Sequence, residues 1–110
     1  MDLMKKDLVM TSLEVAEITE KNHADVMRDI RSEIESIEKE GLEGRRIFAE
    51  SSYKNSQNKE QPMYTMGREG AMQIATRYSA GIRRKLIMKL EELENKTKLP
   101  SNYKEALLAL

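Results

Sequence analysis

The sequence predicts a mostly helical α+β domain of winged helix-turn-helix type, with a small antiparallel sheet and C-terminal helices. Three observations predict it. Two amphipathic stretches within residues 12–39 are separated by Thr19-Glu20-Lys21-Asn22, a polar break of the length of a tight turn. Residues 46–53 and 61–66 have strand composition and flank the polar run Lys54-Asn55-Ser56-Gln57-Asn58-Lys59, as the arms of a hairpin flank its tip. A further strand, Asp7–Met10, precedes the helices; a hairpin is marginal alone, so this strand is expected to pair with it.

The elements follow in order. Thr11-Ser12-Leu13-Glu14 spells a capping box: the Thr11 hydroxyl caps the Glu14 amide and the Glu14 carboxylate reaches back. It opens a first helix over residues 12–19, which partly buries Leu13, Val15, Ala16 and Ile18. Asn22 is an N-cap residue for a second helix, His23–Lys39. Met27, Ile30, Ile34 and Ile37 recur at helical spacing as its buried stripe, and Gly41 and Gly44 end it. Phe48 and Tyr53 are the large side chains of the first hairpin strand. Pro62 puts the second strand at a sheet edge or at its own start. Gly67 and Gly70 lead into a third helix over residues 68–78, carrying Met72, Ile74, Ala75 and Tyr78. Ser79 caps a fourth helix to Lys96, with Ile82, Leu86, Leu90 and Leu93 as its stripe. Pro100 stops it, and Ser101 caps a last apolar helix from Tyr103 to Leu110. The domain is therefore expected over residues 1–98. Residues 99–110 are read as the start of a C-terminal linker or oligomerisation helix of a longer protein.

Composition narrows the function. A chain of 110 residues has room for a single core. Hydrophobic residues make up 39% and charged residues 35%, too apolar for a disordered chain. Without cysteine there is no disulfide and no thiolate metal site, and an intracellular setting fits. One histidine, His23, is too few for a standard zinc site, and no metal or cofactor is expected. No apolar run approaches membrane-spanning length. The net charge of +0 hides segmentation: residues 14–40 carry nine acids and four bases, whereas residues 41–90 carry four acids and ten bases. A basic middle suits one face that meets an anion.

Two helices joined by a four-residue turn resemble a helix-turn-helix, or equally any αα-hairpin of a small domain. In the first reading the second helix turns Arg28, Arg31 and Ser32 toward a major groove, with Asn22 and His23 at its start, where free amides suit a phosphate. Asp25, Asp29, Glu33 and Glu35 work against this, so only the first two turns would approach DNA. His23 itself is expected as a polar surface residue able to donate to a phosphate. The hairpin would be a wing whose Lys54, Asn58 and Lys59 touch the backbone, or else a solvated tip. Arg77, Arg83, Arg84, Lys85 and Lys89 would either contact phosphate or pair with the acids of the second helix, Glu33 to Glu40. Catalytic residues are not found: no nucleophile stands in a Ser-His-Asp or Cys-His context, and Gly67-Arg68-Glu69-Gly70 is too short to cradle a nucleotide.

TSLEVAEITEKNHADVMRDIRSEI and IFAESSYKNSQNKEQPMYTMGREGAMQIATRY resemble the phage regulatory Rha family over residues 8–95. The hairpin with Tyr53, Asn58, Pro62 and Tyr64, followed by Arg68-Glu69-Gly70, carries the likeness most strongly. Members more often have threonine at the position of Gly67, aspartate at that of Glu69, and a Phe-Asn pair near Leu90–Leu93. The resemblance implies a temperate-phage regulator in the bacterial cytoplasm, often joined to a C-terminal antirepressor domain. Two functions fit: binding of double-stranded operator DNA, or sequestration of a phage repressor by a protein-binding module that touches no DNA. Either is compatible with a homo-oligomer built through the C-terminal helix.

Overall fold

The computed structural model describes residues 9–98, with side chains described through Asn95. The expected strand over residues 7–10 lies partly outside this range, and the C-terminal helix over residues 103–110 lies wholly outside it. The elements run β1 (Met10–Thr11), α1 (Ser12–Thr19), α2 (His23–Lys39), α3 (Gly44–Ile47), β2 (Phe48–Lys54), β3 (Glu60–Met66), α4 (Arg68–Ala75) and α5 (Ala80–Lys98). The fold is α+β and mostly helical, as expected, with one antiparallel sheet in the order β1-β3-β2.

The capping box forms. The Thr11 hydroxyl accepts from the Glu14 amide at 3.2 Å, and the Glu14 carboxylate accepts from the Thr11 amide at 2.9 Å. α1 ends in a Schellman arrangement: the Lys21 amide donates to the Ala16 carbonyl and the Glu20 amide to the Glu17 carbonyl. Glu20 holds the left-handed position of that motif, at φ 59° and ψ 33°, where glycine is the usual residue. α2 then turns Val26, Met27, Ile30 and Ile34 inward, with Ile37 packed at the margin.

The core is organised on one rung of the sheet. Met10 pairs with Met66 and Met66 with Phe48, so three large apolar side chains stand abreast across the three strands. Each is at most 1% exposed. Val15 from α1, Ile30 from α2, Ile74 and Ala75 from α4, and Leu86 and Leu90 from α5 close over them. α4 comes close because residue 70 is glycine. A Cβ there would run into the Ile47 carbonyl oxygen and stand 2.8 Å from the Met66 Cβ.

Four details depart from the sequence reading. The segment around Arg46 opens as the one-turn helix α3 rather than as strand. α4 stops at Ala75, with Tyr78 beyond its end, and Met72 on it is 39% exposed. Asn22 occupies the N-cap position of α2, yet its side chain makes no capping bond; its carbonyl accepts from the Asp25 and Val26 amides. Finally, Pro62 lies in the central strand. β1 covers only Thr65 and Met66, so β3 has no neighbouring strand where proline lacks its N–H.

Replacing Glu20 by glycine should relieve the left-handed backbone and raise stability by about 1 kcal/mol in denaturant unfolding. Gly70→Ala should lower it by about 2 kcal/mol or more, because backbone has to move to admit the methyl group.

Candidate nucleic-acid interface

β1 is only two residues long, so its ladder with β3 stops at Thr11. The next β3 amide facing that side belongs to Tyr64, and it would be left unpaired in the interior. Ser12 supplies the acceptor. Its hydroxyl, fully buried, accepts from the Tyr64 amide at 3.0 Å. The same oxygen lies 2.8 Å from Nε2 of His23, the first residue of α2. With a neutral ring protonated at Nδ1, the Ser12 hydroxyl donates to Nε2 while it accepts from the Tyr64 amide. The His23 ring also meets the Tyr53 ring edge-on, with centroids 5.7 Å apart and planes at 82°. A chain of contacts thus runs from β3 through Ser12 to the start of α2 and on to the β2 arm of the hairpin. It seats the hairpin beside the N-terminus of α2.

The hairpin tip is ordered by its own atoms. The Asn55 side-chain oxygen accepts from the amides of Gln57 at 2.9 Å and Lys59 at 3.0 Å. The Asn58 amide donates to the Asn55 carbonyl at 2.8 Å, and Asn58 itself sits left-handed at φ 62°. Lys54 and Lys59 flank this turn, both exposed.

The acids of α2 are largely engaged. Asp29 accepts from Lys21 Nζ and from the Tyr78 hydroxyl, each at 3.0 Å. The Lys21 ammonium also lies 5.1 Å from the Tyr78 ring centre. Burial alone would raise the Asp29 pKa, but these hydrogen bonds and the nearby Lys21 and Arg77 charges hold it below its usual value. Burial, then donation to Asp29, pushes Tyr78 well above the ordinary phenol value. Asp25 binds Arg28 at 2.7 Å, Glu33 takes hydrogen bonds from both Gln73 and Arg77, and Glu38 binds Arg45 at 3.0 Å.

The expected site residues therefore divide. Asn22 and His23 stand at the start of α2, His23 half-buried and bonded rather than on the surface. Arg28 is exposed but shared with Asp25; Arg31 is exposed and has no ion-pair partner among the described residues; Ser32 is half-buried. Lys54, Asn58 and Lys59 mark the hairpin tip. Arg83 is occupied elsewhere: its guanidinium donates to the Ala75 and Tyr78 carbonyls and holds the end of α4. Arg77 pairs with Glu33, the structural role weighed for the basic cluster. Arg84 and Lys85 remain exposed on the outer side of α5, without ion pairs among the described residues. Ser12 and Tyr53 carry no site expectation from the sequence, and Asn55, one of the polar tip residues, shapes the turn through its side chain. For Asn55 a signal existed, since asparagine at a turn start bonds the amides that follow it. Ser12 was masked by its place inside the capping box. Among the described residues no three His, Asp or Glu side chains gather as a metal site, and no helix is long and apolar enough to cross a membrane.

Ser12→Ala would strand the Tyr64 amide and should cost about 2 kcal/mol in unfolding free energy. Burial lowers the His23 pKa from its ordinary 6.5. The unfolded chain then binds the proton more readily than the fold. Its contribution should be complete above pH 6.5 and fade as pH falls through the lowered value. Urea unfolding between pH 8 and pH 5 should show this decline, and His23→Gln should flatten it.

The sequence model of the phage regulatory protein Rha family matches residues 10–95 of the chain. No curated protein and no solved structure matches it.

Proposed function

Because the chain belongs to the phage regulatory protein Rha family, we propose that it serves phage gene regulation by binding duplex DNA through α2 and the hairpin wing. The observation that supports this reading is the contact of His23 with Ser12 and Tyr53, which sets the hairpin beside the first turn of α2. In that arrangement the first turn of α2, with Asn22 and His23, approaches a phosphate through its free amides. Arg31 and Ser32 address the groove, joined by Arg28 when the phosphates draw it from Asp25. Lys54, Asn58 and Lys59 reach the sugar-phosphate backbone from the tip. Arg84 and Lys85 add phosphate contacts from α5, and Arg83 acts by fixing the end of α4. The pairing of Asp29 and Glu33 within the fold removes much of the repulsion that their charges would offer to DNA. The reading places the protein in the bacterial cytoplasm, as a regulator without catalysis.

One observation favours a protein partner instead. Arg28, the first arginine on the outer side of α2, is already bound to Asp25. A repressor-sequestering module would need no such arginine, and its exposed Glu35 and Glu40 would face the repressor's basic surface.

Titration of duplex DNA across salt separates the two. Affinity should fall steeply with salt, and Lys54→Ala combined with Lys59→Ala should weaken binding and flatten the log–log salt slope by about 2. Absence of duplex binding at low salt would remove the DNA reading. Capture of a phage repressor that persists against excess operator DNA would establish the second.

A further inference from the structure

The outer edge of β2 is a row of main-chain groups with no neighbour among the described residues. The phase of the ladder identifies them. The Asn55 amide bonds the Lys59 carbonyl, so this pair is hydrogen-bonded. Counting along the antiparallel register, Tyr53–Gln61, Ser51–Met63 and Ala49–Thr65 are hydrogen-bonded as well. The alternate pairs, Lys54–Glu60, Ser52–Pro62 and Glu50–Tyr64, are not. Pro62, with no N–H, and Tyr64, whose amide goes to Ser12, agree with this phase. The amides and carbonyls of Glu50, Ser52 and Lys54 therefore point away from β3, out of the sheet. Their side chains share one face and are exposed, and Ser51 and Ser52 are too small to block approach.

We propose that this edge pairs with the same edge of a second copy of the chain, antiparallel and with the two-fold axis through Ser52. The choice of register follows from charge. Outward-facing groups meet outward-facing groups in only a few symmetric registers. An axis at Glu50 opposes two glutamates, and an axis at Lys54 opposes two lysines. An axis at Ser52 places Glu50 of each copy opposite Lys54 of the other. Both pairs then fall at hydrogen-bonded positions, with Cα atoms about 5.5 Å apart. Ser52 exchanges both main-chain bonds with its own symmetry mate. The two three-stranded sheets become one, and the surface is isologous, as a closed dimer requires. The inference stands apart from DNA binding, although Lys54 figures in both: phosphate claims it in the monomer and Glu50 of the second copy in the dimer.

The full chain tests this. Sedimentation over a concentration series should show a reversible monomer–dimer equilibrium. Glu50→Lys and Lys54→Glu each turn both pairs into like charges, and each should weaken the dimer roughly tenfold. The double variant restores opposite charges and should restore the dimer. Ser52→Pro removes an amide that β3 does not use, so it should abolish the dimer while the circular dichroism of the fold persists. The chain has no native cysteine, so Ser52→Cys should cross-link to its symmetry mate on mild oxidation at least ~10-fold faster than Ser36→Cys on α2. A chain that stays monomeric throughout overturns the proposal. So does a dimer indifferent to both charge swaps, or cross-linking at residue 52 no faster than at residue 36.

Discussion

The Ser12 hydroxyl is the point on which sheet, helices and hairpin depend together. β1 turns into α1 after two residues, which leaves the Tyr64 amide without a strand partner. A buried amide without an acceptor costs roughly 1–3 kcal/mol, a large share of the stability of a domain this size. Ser12 meets that need with a side chain, so the ladder continues by one bond after the backbone has left it. Since the same oxygen binds His23, the position of α2 is tied to the register of β3. Tyr53 then ties the hairpin to His23. Pro62 completes the pattern, because the next outward position of β3 has no amide to satisfy.

The acids of α2 are offset by local pairing rather than by an even scatter of charge. Lys21, Arg28, Arg45 and Arg77 each meet an acid of α2. Glu33 and Asp29 also hold Gln73 and Tyr78, so the acidic helix is fastened to α4 and to the segment that follows it. Among the described residues the cations outside ion pairs are Arg31 and Lys39 on α2, Lys54 and Lys59 at the hairpin tip, and Arg83, Arg84 and Lys85 on α5. Surface pairs of this kind add little stability one by one. Their effect here is on the field: they cancel acidic charge near the start of α2 and leave basic charge elsewhere uncompensated.

Much of this was legible in the sequence, for physical reasons. The limits of α1 and α2 were readable because caps are local: Thr11 with Glu14, and the polar turn before His23, act within a few residues. The hairpin was readable from strand composition around a turn-rich run. What sequence reasoning missed depends on distant partners. Around Arg46 the chain makes a single helical turn before the strand begins, and Gly44 at its start packs close against Ile34, a distant partner that local composition does not reveal. Pro62 looked like an edge residue, since nothing local reveals that β1 ends short of it. Of the basic cluster, Arg77 and Arg83 are absorbed by Glu33 and by two carbonyls, contacts set by how α4 lies on α2 and α5. The role of His23 required Ser12 and Tyr53, one eleven residues before it and the other thirty after.

The tip of the hairpin has a different kind of independence. Its turn is closed by Asn55 and by the left-handed Asn58, and every bond that shapes it lies within five residues. Ser56 and Gln57 are exposed and contribute only backbone to that closure. Their side chains are therefore free to vary without disturbing Ser12, the core rung or the helices. Such a loop tolerates a change of sequence while the scaffold stays fixed. For an engineer it is equally a cassette, exchangeable between Asn55 and Asn58 with the rest of the chain untouched.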